Sequence, residues 1–191
     1  MSIATSAVIG ATMGVARAQQ FFNGAQTAPN AAINGGGGAW DNVATNWTNA
    51  TGTAGTPYDP TAATITVFGA SGSSTPTTGG TVTVGPGGVQ LTSTVQFQAT
   101  GDNSIYAIQG GNLTVAAGGT TFDVSNVSGG VGPSAIISSG IVGTDAINVQ
   151  GEGALVLNGA SSYAGHLHLF LRDAAARRCD PHRQHCRRRR Q

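Results

Sequence analysis

A five-residue stretch that occurs twice decides the fold: Tyr106-Ala107-Ile108-Gln109-Gly110 returns further along the chain as Ile147-Asn148-Val149-Gln150-Gly151. In both copies apolar and polar residues alternate before a glycine, which is typical of a short strand that ends in a turn. A second apolar pair returns in the same way: Leu113 and Val115, then Leu155 and Leu157. A repeat of about 40 residues that contains several strands indicates two turns of roughly 20 residues in a stacked architecture.

Similar runs continue along the chain, each bounded by Gly, Asn, Asp or Ser. They are Thr64–Phe68, Thr81–Val84, Val95–Phe97, Tyr106–Ile108, Leu113–Val115, Phe122–Val124, Ala135–Ile137, Ile147–Val149 and Leu155–Leu157. We expect the following side chains to point inward: Val82, Val95, Leu113, Val115, Phe122, Ile136, Ile147, Val149, Leu155 and Leu157. A β-sandwich would also accommodate nine short strands, but it gives no reason for the repeat.

Charge divides the chain into two parts. Between Ala18 and Gly165 there are six acidic residues and neither Lys nor Arg, so this part has a net charge of −6. Such a segment should not bind nucleic acid, because affinity for a phosphate backbone comes mainly from Lys and Arg. All four His, both Cys and eight of the nine Arg lie beyond Gly165.

The first residues have the features of an export signal. Ala7 to Val15 is a short apolar run, and Ala16-Arg17-Ala18 matches the A-x-A pattern of a signal-peptide cleavage site. We therefore assign residues 1–18 to a signal-like segment and residues 19–34 to a linker. An Ala-rich N-terminus without structure is the alternative.

A longer motif points to a known family. Gly151 to Gly165, GEGALVLNGASSYAG, closely resembles the autotransporter-associated β-strand repeat, G-x-G-x-L-x-L-x-G-x-N-x-Y-x-G, with Ser161 in the place of the usual Asn. The stretch Trp40 to Trp47 and the tetrapeptide Thr66-Val67-Phe68-Gly69 are similar to the opening cap of such passengers. The resemblance covers residues 35–165.

The resemblance implies an all-β chain, a right-handed parallel β-helix (β-solenoid) of short strands, with disordered termini. It also implies a secreted or surface-displayed, adhesin-like stalk of a Gram-negative bacterium, associated with the outer membrane only through a C-terminal barrel that this chain does not include. Its partners would be surface, glycan or protein contacts that the sequence does not identify.

Residues 166–191 differ from the rest in composition. Cys179, His182, His185 and Cys186 are suitable ligand types for zinc, but their spacing is more compressed than in the usual zinc motifs. Arg187 to Arg190 would suggest an RNA or membrane contact. Back-translation from Gly165, read one base later, permits a continuation of the repeat. We therefore expect a basic tail that is out of frame and disordered, in a truncated or frameshifted fragment.

Catalysis is the remaining alternative. Asp102, Asp123 and Asp145 are almost evenly spaced, so one carboxylate per turn would form a column of the kind a polysaccharide-active β-helix uses. Asp also begins turns, however, and no Lys, Arg or His lies between Ala18 and Gly165 to orient an acidic substrate. We predict no enzyme, no catalytic residue, no cofactor and no metal site.

Overall fold

The structure is a computed structural model that describes residues 18–69, 77–125 and 134–169. Within these ranges all regular structure is β, with sixteen short strands and no helix. In chain order the strands are β1 Gln19–Phe22, β2 Gly38–Trp40, β3 Trp47–Thr48, β4 Ile65–Phe68, β5 Gly80–Val84, β6 Val89–Gln90, β7 Thr94–Phe97, β8 Tyr106–Gly110, β9 Leu113–Thr114, β10 Thr120–Val124, β11 Ala135–Ile137, β12 Ile141–Gly143, β13 Ile147–Gly151, β14 Leu155–Leu157, β15 Ser162–Tyr163 and β16 Leu167–Leu169.

The strands form three sheets, which the chain visits in turn. A seven-stranded sheet has the order β16-β13-β10-β7-β4-β1-β3, a five-stranded sheet the order β14-β11-β8-β5-β2, and a four-stranded sheet the order β15-β12-β9-β6. From β4 onward each strand therefore pairs with the strand three places later, and we call one passage through the three sheets a circuit. All pairings among the described strands are parallel except that of β1 with β3. The prediction of an all-β chain is confirmed.

Circuits differ in length, and this corrects the interpretation of the internal repeat. Gln96 on β7 faces Asp123 on β10, 27 residues later, whereas Ser138 meets Asn158 only 20 residues later in the last circuit. The two copies of the repeat, β8 and β13, lie in different sheets and are therefore not related by whole circuits. Alternating apolar and polar residues followed by glycine occur in strands of more than one sheet. This pattern therefore does not indicate which sheet a strand joins.

Most of the predicted inward side chains lie in one core. Val82, Val95, Leu113, Val115, Phe122 and Ile147 are buried, and the partly buried Val149 and Leu155 pack against them. Leu157 pairs in register with the buried Ile137 but is 39% exposed, because β14 is the last described strand of its sheet. The inward prediction is therefore confirmed for the six buried residues.

Ile136 is a correction. Its neighbours Ala135 and Ile137 are buried, whereas Ile136 is half-buried on the opposite face of β11. Successive side chains on a strand point to opposite faces, so either Ile136 or the pair Ala135 and Ile137 can point inward, but not both. Three consecutive apolar residues contain no alternation that would have indicated which set it is.

The linker prediction for residues 19–34 is wrong at its start. Gln19–Phe22 forms β1, whose Phe21 pairs with Val67 of β4 on one side and with Thr48 of β3 on the other. Phe22 enters the core, and Phe21 packs outside it in a small cluster with Ile33 and Val67. Two adjacent aromatic residues show no alternation of apolar and polar types, yet each packs on its own face of the sheet.

The expected tail also begins later than residue 166. Leu167–Leu169 forms β16, in which Leu167 pairs with Ile147 and Leu169 with Val149. The prediction of disorder is therefore wrong for these residues, although their side chains remain exposed. The other parts of the terminal predictions, residues 1–17 and 170–191, lie outside the described residues.

Candidate functional site

The structure does not align the three carboxylates of the catalytic alternative. Asp102 lies in the turn between β7 and β8, Asp123 lies within β10, and Asp145 lies between β12 and β13. The residues in register with Asp123 are Gln96 and Gln150. One circuit at this position takes 27 residues, whereas successive Asp residues are closer than this in the sequence. The three carboxylates therefore do not stack above one another, and the acidic column is not formed.

Two of the acidic residues organise turns. Asp102 accepts hydrogen bonds from the backbone N–H of Ser104, at 3.0 Å, and from its hydroxyl. Asp59 accepts from the hydroxyl of Thr61 at 2.6 Å and from its backbone N–H at 2.8 Å. The hydrogen bonds from Ser104 and Thr61 lower the pKa of Asp102 and Asp59 respectively. Both carboxylates are thus ionised turn residues, which is a common use of Asp.

On three strands of the seven-stranded sheet the outer face is polar and carries little charge. Its side chains alternate with buried ones on β7, β10 and β13, and they are Thr94, Gln96, Thr121, Asp123, Asn148 and Gln150. The amide Nε2 of Gln96 donates to Oδ2 of Asp123 over 3.5 Å, which is a long contact. This face offers hydroxyl and amide groups at regular strand spacing, with one carboxylate among them.

An aromatic cluster fills the N-terminal end of the core. Its members are Phe22, Trp40, Trp47, Tyr58, Phe68, Phe97 and Tyr106. The rings of Trp40 and Trp47 lie 5.8 Å apart between centroids, and both side chains are at most 1% exposed. Neither indole is accessible for stacking on a sugar, so the two Trp act as core residues.

Strand β3 closes this end of the seven-stranded sheet. It pairs antiparallel with β1, and beyond it the backbones of Trp47 and Thr56 exchange two hydrogen bonds of 3.1 and 2.8 Å. Such a reversal occupies backbone groups that would otherwise lie free at the sheet edge. The N-terminal end of the seven-stranded sheet therefore carries a cap, whereas β2 and β6 are the end strands of the other two sheets.

Buried hydroxyl groups form a column between the aromatic cap and the next two circuits. The Tyr58 hydroxyl donates to the carbonyl of Gln90 at 2.9 Å and contacts the Thr66 hydroxyl at 3.2 Å. The Thr66 hydroxyl meets that of Thr92 at 2.8 Å, and Thr120 donates to the Thr92 carbonyl at 3.2 Å. Burial raises the pKa of Tyr58 to about 12. These groups are mutually satisfied, which indicates a structural role.

A shallow cleft of about 490 Å³ runs along the corner where the chain passes from the four-stranded to the seven-stranded sheet. Among its lining residues Asp145 alone is titratable. Gln90 donates from Nε2 to the Val115 carbonyl at 2.8 Å, and the Ser93 hydroxyl donates to the Thr64 carbonyl at 2.9 Å. The Gln90 amide and the Ser93 hydroxyl therefore already form hydrogen bonds within the protein. The lining contains no acid–base pair.

The opposite end of the three sheets is open in the described part of the chain. There β14, β15 and β16 are each the last strand of a sheet and have a paired strand on one side only. The inward-facing positions are poorly covered, since Leu157 is 39%, Leu167 50% and Leu169 62% exposed. The predicted inward side chains did not include Leu167 and Leu169, although Leu-His-Leu alternates as a strand does and lies one circuit after Ile147 to Val149.

Metal ligands and membrane spans can be sought only in the described ranges. In the described ranges no three His, Cys, Asp or Glu residues come together as a metal site would require. Cys179, His182, His185, Cys186 and the Arg187–Arg190 run lie outside those ranges. Within the described residues no helix is long and apolar enough to cross a membrane.

No family model, curated protein or solved structure matches the chain. The class of protein therefore rests on the strands and sheets of the structure: it is an all-β chain whose short strands form parallel sheets.

Proposed function

We propose that residues 35–165 form a right-handed parallel β-solenoid that serves as the stalk of a secreted or surface-displayed passenger resembling autotransporters. The observation that supports it is the strand order, in which the strands from β4 onward pair in parallel with the strand three places later. Connections between parallel strands of one sheet are right-handed in about 98% of cases, which supports the handedness.

The stalk acts by contact and display, without catalysis. The outer faces of β7, β10 and β13 present polar side chains at regular spacing, of which only Asp123 is charged. Asp102, Asp123 and Asp145 occupy different parts of the circuit. The absence of Lys and Arg between Ala18 and Gly165 disfavours nucleic acid as a partner. Surface, glycan or protein contacts remain the proposed partners.

Export is tested by expressing the full chain in a Gram-negative bacterium, followed by cell fractionation and mass spectrometry of the mature N-terminus. We expect cleavage after Ala18, because the preceding A-x-A pattern suits signal peptidase. The matched variants are Ala18→Leu, which places a large residue at the cleavage site and should block processing, and Ala11→Leu, which should not. An unprocessed chain that remains in the cytoplasm would refute export.

The absence of catalysis needs its own assay. Purified protein is incubated with neutral polysaccharides and polyuronides, and reducing ends are measured over time. We expect no release above buffer. Release that disappears in Asp123→Asn but persists in Asp59→Asn would reverse the proposal in favour of a polysaccharide-active enzyme.

A further inference from the structure

Asparagine is followed directly by glycine at three places in the chain: Asn23-Gly24, Asn34-Gly35 and Asn158-Gly159. In such a pair the backbone nitrogen of glycine can attack the side-chain carbonyl carbon of the asparagine, because glycine has no side chain that would hinder the approach. The attack requires the asparagine to change its backbone and side-chain torsions. Contacts that hold those torsions therefore determine which of the three pairs can react.

The two N-terminal pairs are held by contacts with each other and with Thr78. The Asn23 side chain is 2% exposed, and its Oδ1 accepts hydrogen bonds from the backbone N–H of Asn34 at 2.6 Å and from Asn34 Nδ2 at 3.2 Å. The Thr78 N–H donates to the Asn34 carbonyl at 3.2 Å, and the Gly36 N–H donates to the Thr78 carbonyl at 2.7 Å. Both pairs can react only after these hydrogen bonds have opened.

Asn158 is held much less firmly. It is an exposed residue directly after β14, a strand that has a paired strand on one side only in the described part of the chain. Its Oδ1 accepts one hydrogen bond, of 2.8 Å, from the hydroxyl of Ser138, which is itself exposed. Its backbone N–H donates to the Ile137 carbonyl at 3.0 Å. Fewer contacts therefore oppose a change of torsion at Asn158 than at the two N-terminal pairs.

Ser139 weakens the turn after β14 further. Gly159 packs closely on it, since a Cβ at Gly159 would collide with the Ser139 carbonyl oxygen. The Ser139 side chain is 1% exposed, and its hydroxyl has no hydrogen-bond partner among the described residues. A buried hydroxyl without a partner costs free energy, which is recovered when the turn opens to water. We therefore expect this turn to open more readily than the backbone around Asn23 and Asn34.

We propose that Asn158-Gly159 is a site of spontaneous deamidation, from which the fold protects the other two Asn-Gly pairs. Hydroxide from the solvent removes the proton of the Gly159 N–H, and the nitrogen bonds to the side-chain carbonyl carbon of Asn158. The bond from that carbon to the amide nitrogen breaks, and the nitrogen takes a proton from water and leaves as ammonia. Water then opens the five-membered ring at either carbonyl, which gives aspartate or isoaspartate. The inference does not depend on export or surface display.

Deamidation changes the turn in two ways. It adds a carboxylate to a part of the chain that has six acidic residues and neither Lys nor Arg. Isoaspartate also routes the main chain through the former side chain, which lengthens the backbone where Gly159 packs on Ser139. The same turn is attached to the preceding circuit by the Ile141 N–H, which donates to the Ser161 hydroxyl at 3.0 Å. The modification should therefore loosen the turn that leads to β15.

The test follows each asparagine separately while the full chain is incubated in mildly alkaline buffer. Chymotryptic peptides are fragmented in a mass spectrometer at successive times, and the fraction converted to acid is measured at each site. In the folded protein Asn158 should react at least about tenfold faster than Asn23 and Asn34. In concentrated urea the three rates should become similar, because each asparagine then precedes glycine in an unfolded chain.

Two outcomes of this experiment would overturn the proposal. Asn158 could react as slowly as Asn23 in the folded protein, which would show that the turn after β14 is protected too. Alternatively, the faster reaction at Asn158 could persist in urea, in which case the neighbouring sequence and not the fold would set the rates.

A pair of variants provides a second measurement, the ammonia released by the folded chain. Asn158→Gln should abolish most of the release, because the longer side chain does not form the five-membered ring. Asn42→Gln is the matched control, since Asn42 is exposed but precedes Val43, whose branched side chain hinders attack. It should release ammonia as the parent does, and far-ultraviolet circular dichroism checks that both variants are folded. Undiminished release from Asn158→Gln would contradict the assignment.

Discussion

Phe68 and Phe97 stack in register on adjacent strands, with ring centroids 5.2 Å apart and ring planes inclined by 15°. Phe22 lies against Phe68 at 5.2 Å on one side, and Val124 is the register partner of Phe97 on the other. The next position in this column is Gly151. Side-chain volume therefore decreases from the capped end toward the open end, so most of the aromatic packing lies near the cap.

Replacing Phe97 with Ala should destabilise the protein by about 3–5 kcal/mol, because it removes a buried ring and leaves a cavity next to Phe68. The midpoint of urea denaturation measures the change. Val43→Ala, at an exposed position, is the control and should alter the free energy of unfolding by less than about 0.5 kcal/mol. Equal stability of the two variants would show that the stacked Phe68 and Phe97 do not stabilise the core.

The end of β8 requires glycine. Gly110 has φ of 98°, and a Cβ there would lie 2.6 Å from the Val84 carbonyl oxygen. Gly110→Ala should therefore destabilise the chain by about 1–3 kcal/mol. Gly87→Ala is the matched control, since a Cβ at Gly87 meets no atom within 4 Å. Thermal unfolding of both variants measures the difference, and similar melting temperatures would contradict the strained geometry.

High pH should destabilise the protein through Tyr58. Burial raises its pKa to about 12 in the folded state, against about 10 in the unfolded chain. The contribution of this phenol to the free energy of unfolding is therefore fully present below pH 10. It declines by about 1.4 kcal/mol per pH unit as the pH rises toward 12. Because the chain has no Lys, tyrosines dominate titration in this interval.

Tyr58→Phe isolates this effect. The variant loses the hydrogen bond to the Gln90 carbonyl at every pH, but its stability should fall less steeply between pH 10 and 12. Urea denaturation at several pH values gives the slope, and phenolate absorbance gives the titration itself. Tyr106, whose pKa burial also raises, supplies the residual slope. Identical slopes in parent and variant would contradict the assignment.

Nine of the sixteen strands were predictable from the sequence, whereas the pairing of strands was not. Alternation correctly placed Val82, Val95 and Phe122 inward, since it reports the two faces of a strand directly. The internal repeat suggested partners that lie in different sheets, because loop length rather than strand pattern determines when the chain returns to a sheet. Circuits of 27 and 20 residues in one chain have no single period that a repeat search would detect.

The open end illustrates a second limit. The change in composition after Gly165 suggested that the ordered part ends there, yet Leu167–Leu169 continues the seven-stranded sheet. Backbone pairing with β13 requires only an extended chain, so three residues with alternating apolar side chains satisfy it whatever the composition of the segment that contains them. Composition describes the average of a segment and does not identify the residue at which pairing stops.

The last prediction concerns residues 170–191, which the sequence indicates to be outside the repeat. Deleting them should leave the far-ultraviolet circular dichroism signal per molecule unchanged, and the urea midpoint should also be retained, because the arginine-rich composition of this segment differs from that of the strands that form the sheets. The full chain should bind no stoichiometric zinc in a competition titration with a chromophoric chelator. Cys179→Ser/Cys186→Ser is the control, and it should behave as the parent does. Protease resistance of the tail together with one tightly bound zinc, lost in this control, would instead establish residues 170–191 as a folded metal-binding module.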